Sequence, residues 1–370
     1  MPRNVTVIDT SAGREPAGSE QPIELPVQAR EIRLVHRPSG TPVPADFQVA
    51  TIARPEPTGG DVLVRNLVFS VDPYMRGRMN DGPSYTAGFT LGAAMDGGAI
   101  GEVVRSQNPA MPVGTVVEHG LGWREYAVLP ASAAQALTLS GAPLSLYLGA
   151  LGMTGFTAWV GLFQIARMRP GETVFVSGAA GAVGSVVGQL ARARGAGRVI
   201  GSAGGPSKVR YLRDTLRFDV ALDHREPDIA GQLAAAAPEG IDVYFDNVGG
   251  EQLEAAIGSL RTHGRVAACG SISAYNCAGD PRVPRNLYQV VGKRLRIEGF
   301  IVSDHSTSQS VFRRELADLI AAGAVAAPET VSRGLDSAVD AFLGLFTGAN
   351  TGKAVVALAD TTAAGYPTTS

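Results

Sequence analysis

Beyond residue 172, short runs of β-branched and apolar residues alternate with longer segments whose apolar positions recur at helical spacing. Six strands are predicted there, at 173–177, 198–203, 218–222, 241–245, 265–269 and 296–302. Helices are predicted at 207–216, 228–237, 250–260 and 306–322, and another opens after Gly184, where Val186, Val187 and Leu190 share a face. Strands alternating with helices imply βαβ units and a parallel sheet covered on both sides. Residues 151–330 are therefore expected to form a doubly wound domain of six strands. The chain before it is patterned differently. Strands predicted at 61–70, 99–105, 116–118 and 124–129 are broken by Gly and Pro, an all-β pattern of barrel type. Residues 352–358 read again as a strand that returns to this first unit. The expected fold class is thus α/β in two domains, 30–150 plus 331–370 and 151–330, with residues 1–29 a flexible extension rich in Pro, Gly and Ser.

The stretch TVFVSGAAGAVGSVVGQLAR, residues 173–192, carries the first chemistry. It reads as a buried strand, a tight small-residue turn and the start of a helix. Ala179, Gly181 and Gly184 occupy the three small positions of a dinucleotide fingerprint, with alanine where the first glycine usually stands. Gly181 lets backbone approach a pyrophosphate, Gly184 lets the helix pack on the strand, and the helix start, with Ala182 and Val183, offers free N–H donors and a positive dipole end. Such a glycine pattern gains weight from lying between a strand and a helix.

The end of the next strand indicates which nucleotide. A chain that prefers NAD usually carries Asp or Glu about 20 residues on, bonded to the ribose 2′-hydroxyl. Here the strand runs into Gly204, Gly205, Pro206, Ser207 and Lys208, with no carboxylate at its end. Lys208 is one of three lysines against 29 arginines. It is read as the partner of a 2′-phosphate, which makes NADP(H) the expected cofactor; the plain alternative is a solvated lysine at a helix start.

Composition narrows the classes. A chain of 370 residues, 45% hydrophobic and 18% charged, can bury two cores. Its net charge of −2 offers no electrostatic footprint for nucleic acid or an anionic membrane. No apolar run reaches about 18 residues and no signal peptide is evident, so a cytoplasmic protein is expected. Cys269 and Cys277 form no disulfide framework.

Several motifs in order carry a resemblance: DPYMRGRM (72–79), GMTGFTAW (152–159), SGAAGAVGSVVGQLA (177–191), FDNVGG (245–250), CGSISAYN (269–276) and EGFIV (298–302). Together they are similar to the zinc-independent branch of the medium-chain dehydrogenase/reductase superfamily, which includes prostaglandin/leukotriene, alkenal double-bond and curcumin reductases. The resemblance runs from about residue 31 to 358 and implies a GroES-like β-barrel catalytic domain beside a Rossmann domain.

Catalytic and structural zinc sites need clustered Cys and His ligands. The two cysteines lie eight apart, and His36, His119, His224, His263 and His305 show no metal-ligand spacing. Without such a Lewis acid, the acceptor carbon must already be activated. An alkene conjugated to a carbonyl meets that need, because the charge that arrives with a hydride moves onto the carbonyl oxygen. The expected reaction is hydride transfer from NADPH to the β-carbon and protonation at the α-carbon, with the protein orienting the reactants and stabilising the oxyanion.

A tyrosine hydroxyl, neutral at pH 7, suits that last role. Tyr275, past the carboxyl end of the fifth strand, and Tyr74 in the β domain are the candidates; the resemblance gives the first a contact to cofactor or substrate oxygen and the second a place in the pocket. The resemblance also implies cofactor contacts for Asn247, which could equally terminate its strand, and for Cys269, read as a small buried residue rather than a nucleophile. Phe300 and Ile301 are expected beside the nicotinamide or in the core, Met153 and Thr154 along the nicotinamide face, and Asn350 at the cofactor phosphates. His224 stands where relatives often have tyrosine, near the adenine phosphate, so cofactor binding is expected to weaken as pH rises through about 6.5.

Two further outcomes stay open at this level. On a polyene the carbanion could close a ring, a reductive cyclisation that the arginine- and alanine-rich composition hints at through natural-product biosynthesis in a high-GC bacterium. The chain could also be a quinone reductase or a cofactor-binding protein without turnover. By analogy with the resembled family, a homodimer paired through sheet edges is expected.

Overall fold

A computed structural model describes residues 25–138 and 141–359. In the first lobe, β1 (Gln28–Leu34) and β2 (Phe47–Ala53) pair antiparallel as a separate two-stranded sheet. β1 starts inside the segment expected to be an extension, because Ile32 and Leu34 bury one side, Ala29 packs on Leu63 and Tyr126 from the other, and the Ile32 N–H donates to Trp123 O at 2.9 Å. Residues 1–24 of that segment lie outside the described residues. β3 (Asp61–Ser70), β4 (Ala99–Ser106), β5 (Val116–His119), β6 (Tyr126–Pro130) and the two-residue β7 (Gln135–Ala136) belong to a larger sheet. β3 is its centre: β4 lies along one edge, and β6 pairs with its first half. The buried His119 ring fastens this sheet. Its Nδ1 accepts from the Leu121 N–H at 3.1 Å, its Nε2 donates to Asn66 Oδ1 at 2.9 Å, and burial pulls its pKa down to about 4.

The second lobe begins with α1 (Met153–Trp159), continued by one π-helical turn, Val160–Ile165. Then β8 (Thr173–Val176), α2 (Ala182–Ala193), β9 (Arg198–Ala203), α3 (Pro206–Asp214), β10 (Val220–Asp223), α4 (Ile229–Ala236), β11 (Ile241–Asp246), α5 (Gly250–Ser259), β12 (Leu260–Ala268), α6 (Gln289–Lys293) and β13 (Arg296–Gly299) follow. The six strands are parallel in the order β10-β9-β8-β11-β12-β13, the doubly wound dinucleotide order.

Element boundaries move where packing overrides pattern. Phe218, expected in a strand, lies under the sheet instead, its ring filling the space above Gly201, where a Cβ would come within 2.7 Å of it. β12 starts at Leu260 rather than 265, and residues 300–302, expected as strand, lead into the 3-10 turn Val302–Ser308 ahead of α7 (Gln309–Ala321). The chain then crosses back. β14 (Glu329–Arg333), α8 (Ala338–Thr347) and β15 (Lys353–Ala357) join the first lobe, with β15 antiparallel to the end of β3 and parallel to β14. Phe342 of α8 packs edge-on to Trp123 at 6.0 Å, and Trp123 packs on Phe69 at 5.6 Å, so the apolar face of α8 is absorbed by the β lobe.

Candidate active site

The turn after β8 is built by three glycines with different tasks. Gly178 has φ +58°, a left-handed conformation that glycine adopts without Cβ strain. Gly181 caps α2 in extended conformation, leaving the first N–H groups of the helix unpaired toward the cavity. At Gly184 a Cβ would sit 2.5 Å from Gly178 O and 2.8 Å from Ala179 Cα, so any side chain would push the helix off the turn. Ala179 departs from expectation. It is fully buried, its N–H donates to Ser202 O at 2.9 Å, and its methyl packs toward Gly201, while Gly178 and Ala180 flank the cavity in its place. The turn is also held from the far side, where the Gly352 N–H donates to Ala180 O at 2.7 Å.

A cavity of about 1110 Å³ opens between this turn and the first lobe. Gly181, Ala182, Val183, Gly184, Lys208, His224, Asn247, Cys269, Tyr275, Phe300, Ile301, Asn350, Met153, Thr154 and Tyr74 all line it, so every expected site residue except Ala179 converges there. Such a volume exceeds the usual range for one small ligand and suits a dinucleotide with a second molecule beside it.

Strand ends supply the deep wall. Asp246 accepts from Tyr244 Oη (2.7 Å), Gly249 N (2.8 Å), Val248 N (3.0 Å) and Ser177 Oγ (3.2 Å), and burial nevertheless raises its pKa. The Asn247 amide donates to Ser177 O at 2.7 Å, tying the ends of β11 and β8 together and leaving its Oδ1 for a ligand. The Cys269 thiol is pushed up to about 12, by burial first and by Asp246 second, which keeps it protonated and unreactive at neutral pH. Thr154 Oγ1 donates to Gly149 O at 3.0 Å, and Phe300 packs edge-on to Phe245 at 6.4 Å, whereas Met153 and Ile301 present exposed apolar surface.

Three tyrosines meet at the other end. Burial raises the phenol pKa of Tyr275, of Tyr74 and of Tyr85, so all three are neutral donors across the physiological range. Tyr275 Oη accepts a long hydrogen bond from the Ser271 N–H at 3.4 Å, which leaves the hydroxyl proton free to donate. Asp72 adds to the rise at Tyr74, and Tyr85 is felt electrostatically by both other phenols. At the opposite end of the cavity stands a cationic corner. Lys208, His224 and Arg225 surround Gly204 and Gly348, and among the described residues no carboxylate pairs with Lys208 or with the Arg225 guanidinium. Burial first, and the Arg225 charge second, lower the Lys208 pKa. Burial first, opposed by Asp223 and aided by the neighbouring cations, lowers that of His224 from its ordinary value.

A family model described as the N-terminal domain of oxidoreductase matches residues 30–137, and one described as zinc-binding dehydrogenase matches residues 182–322. The chain is 40% identical to the NADPH-dependent curcumin reductase of Escherichia coli over 333 residues, covering 88% of this chain and 96% of that protein. It is 40% identical to the NADP(+)-dependent 2-alkenal reductase of Nicotiana tabacum over 337 residues, covering 89% and 97%. The crystal structure of CurA from Vibrio vulnificus in complex with NADPH superposes with a TM-score of 0.85 at 39% identity, covering 90% of this chain and 99% of that one. The chain belongs to the zinc-independent medium-chain dehydrogenase/reductase superfamily.

Its cofactor is NADP(H). The residues fit that molecule: a glycine turn that a Cβ would close, free helix N–H groups facing it, and cations where an added phosphate needs them. Among the described residues no group of three or more His, Cys, Asp or Glu could hold a metal ion, although one matching family model carries zinc in its description. No helix of the described residues is long and apolar enough to cross a membrane.

Tyr85 and Arg225 are among the cavity residues that the sequence did not reveal. Tyr85 lies in an irregular loop with no periodicity to mark it, and Arg225 stands among 29 arginines with only its place beside His224 as a signal. Under the tyrosine end lies a buried ion pair. Lys353 Nζ donates to Asp72 Oδ1 at 2.8 Å, Ala354 O at 3.0 Å and Val71 O at 3.1 Å, and Ser70 Oγ donates to Asp72 Oδ2. Asp72 precedes the 3-10 turn Pro73–Met79 that carries Tyr74, and its carboxylate serves the ammonium rather than capping that turn. The pair thereby links β15, whose entry touches the glycine turn, to the tyrosine wall.

Proposed function

We propose that this protein is an NADPH-dependent reductase of the carbon–carbon double bond of α,β-unsaturated carbonyl compounds. The observation that carries the reading is the convergence of protonated tyrosine hydroxyls on the cavity that also receives the glycine turn. When bound, NADPH would supply a hydride to the alkene carbon farther from the carbonyl, and a proton from solvent at the carbon beside the carbonyl completes the reduction. The chain's own residues then have two tasks, orientation and stabilisation of the oxygen that gains charge. Tyr275 donates its free hydroxyl proton into a hydrogen bond to that oxygen, and Tyr74, from the opposite lobe, lines the pocket that orients the conjugated system. A neutral donor strengthens as the oxygen becomes anionic, so its benefit grows toward the transition state. Apolar neighbours Met153, Phe300 and Ile301 exclude water from the reacting carbon. Relatives named for reduction of curcumin and of 2-alkenals support the same substrate class.

The test is a 340 nm assay of an enal, an enone, a quinone and a simple ketone with NADPH, run on the native chain and on Tyr275→Phe. The enal and enone should be the good acceptors, and Tyr275→Phe should lower kcat about 10²-fold, the cost of removing one oxyanion donor, with NADPH affinity nearly unchanged. A simple ketone as the best acceptor, or unaltered turnover in Tyr275→Phe, would overturn the proposal.

A further inference from the structure

The cationic corner holds one more charge than the sequence reading assigned to it. Lys208 reaches it from the first turn of α3, and Arg225 from the loop that follows β10. Two glycines mark where they meet. A Cβ on Gly204 would come within 2.9 Å of Arg225 Nε and 3.0 Å of His224 Nε2, and one on Gly348 within 3.5 Å of Lys208 Nζ and 3.7 Å of Arg225 Nη2. Lys208 and Arg225 therefore flank one small backbone-lined space on the cavity wall.

The carboxylate that ends β10, Asp223, does not neutralise it. Asp223 Oδ1 accepts from the Gly205 and Arg225 N–H groups at 2.9 and 3.0 Å, so its charge shapes the loop. The Arg225 guanidinium donates instead to Thr347 O at 3.2 Å, one of the last carbonyls of α8. A neutral carbonyl at a helix end is a weak partner for a guanidinium, and a phosphate dianion is a far stronger one. Lys208 alone would leave about one negative charge of such a phosphate unmet, since a phosphate monoester carries about −1.5 to −2 at neutral pH.

We infer that Arg225 is the second cation of the 2′-phosphate seat, matching Lys208, and that it sets the preference of this protein for NADP(H) over NAD(H). Lys208 acts as a point charge from the helix start, while Arg225 presents a planar fork from the facing loop. His224, its charged form disfavoured by burial and by these two neighbours, contributes a neutral hydrogen bond. This assignment rests on the cofactor and not on the alkene chemistry, so a binding measurement without any carbonyl substrate tests it separately.

NADPH and NADH are titrated into the native full chain and into Arg225→Ala, with affinity read by calorimetry or nicotinamide fluorescence. NADPH should bind about tenfold more weakly to the variant, the loss expected for one charge-assisted contact. NADH, which lacks the phosphate, should bind as before, so the NADH-to-NADPH ratio of dissociation constants drops about tenfold. Arg225→Lys should recover part of that ratio, because the charge returns without the fork. A ratio within threefold of the native value overturns the assignment, including the case in which both cofactors weaken together because Arg225 only braces α8; a larger drop upholds it.

Discussion

Replacing Lys353 by Met keeps the apolar stem of the side chain and removes the ammonium from a buried site. Lys353 and Asp72 expose only 3% and 4% of their side chains, and the ammonium donates three hydrogen bonds. In the variant, Asp72 stays buried with Ser70 Oγ as its remaining side-chain donor. Breaking a buried pair from one side costs about 3–5 kcal/mol, because the surviving charge has lost its compensation. At about 2–4 °C per kcal/mol that is a fall in Tm of roughly 6–20 °C, measurable by calorimetry. Neutralising both ends, with Lys353→Met and Asp72→Asn together, removes the stranded charge and should regain most of the loss. A decrease below about 1 kcal/mol in Lys353→Met, or a double variant no more stable than Lys353→Met alone, would refute the idea that this pair clamps the two ends of the site.

Other outcomes follow from the same geometry. His119, with its pKa drawn from 6.5 to about 4, is protonated first in the unfolded chain, so stability falls as pH drops through that window; the shift corresponds to about 3 kcal/mol, and His119→Gln should flatten the slope of urea midpoints between pH 7 and 4.5. Gly184→Val, whose Cβ would meet Gly178 O, should weaken NADPH binding by at least about tenfold in fluorescence titration; native affinity would show that the turn yields. With His224 meeting the phosphate as a neutral donor, which its lowered pKa in the free protein favours, NADPH affinity from pH 6.5 to 8 should be flat by calorimetry, and a steep decline there would restore the charged histidine.

Legibility followed burial on both sides. The strands of the second lobe showed in the sequence because buried parallel strands must be nearly continuous apolar runs, and β9 begins and ends where its β-branched run predicted. β1 and β2 were missed because Arg, Gln and Thr interrupt their apolar positions, and those apolar positions find partners only far along the chain, at Phe69, Trp123 and Phe342. α8 escaped because a helix of the second half of the chain buries Phe342 in the first lobe, a pairing that no local pattern announces. In the site, motif glycines and tyrosines could be picked out because turns and hydrogen-bond donors restrict residue type. Ala179 was misplaced because spacing cannot tell which side of a turn faces the ligand. Arg225 and Tyr85 gained their place from tertiary approach alone.

The bond from Gly352 to Ala180 has an implication for how the molecule comes into being. The segment that braces the glycine turn, seats Asn350 and closes the amino-terminal sheet is among the last stretches of the described chain to be synthesised. A ribosome-bound intermediate can complete the nucleotide sheet β8–β13 well before that segment emerges from the exit tunnel, but it cannot assemble the finished cleft. The complete cleft therefore waits for residues 350–357, and a chain clipped before residue 350 keeps the nucleotide sheet but loses the brace on its glycine turn.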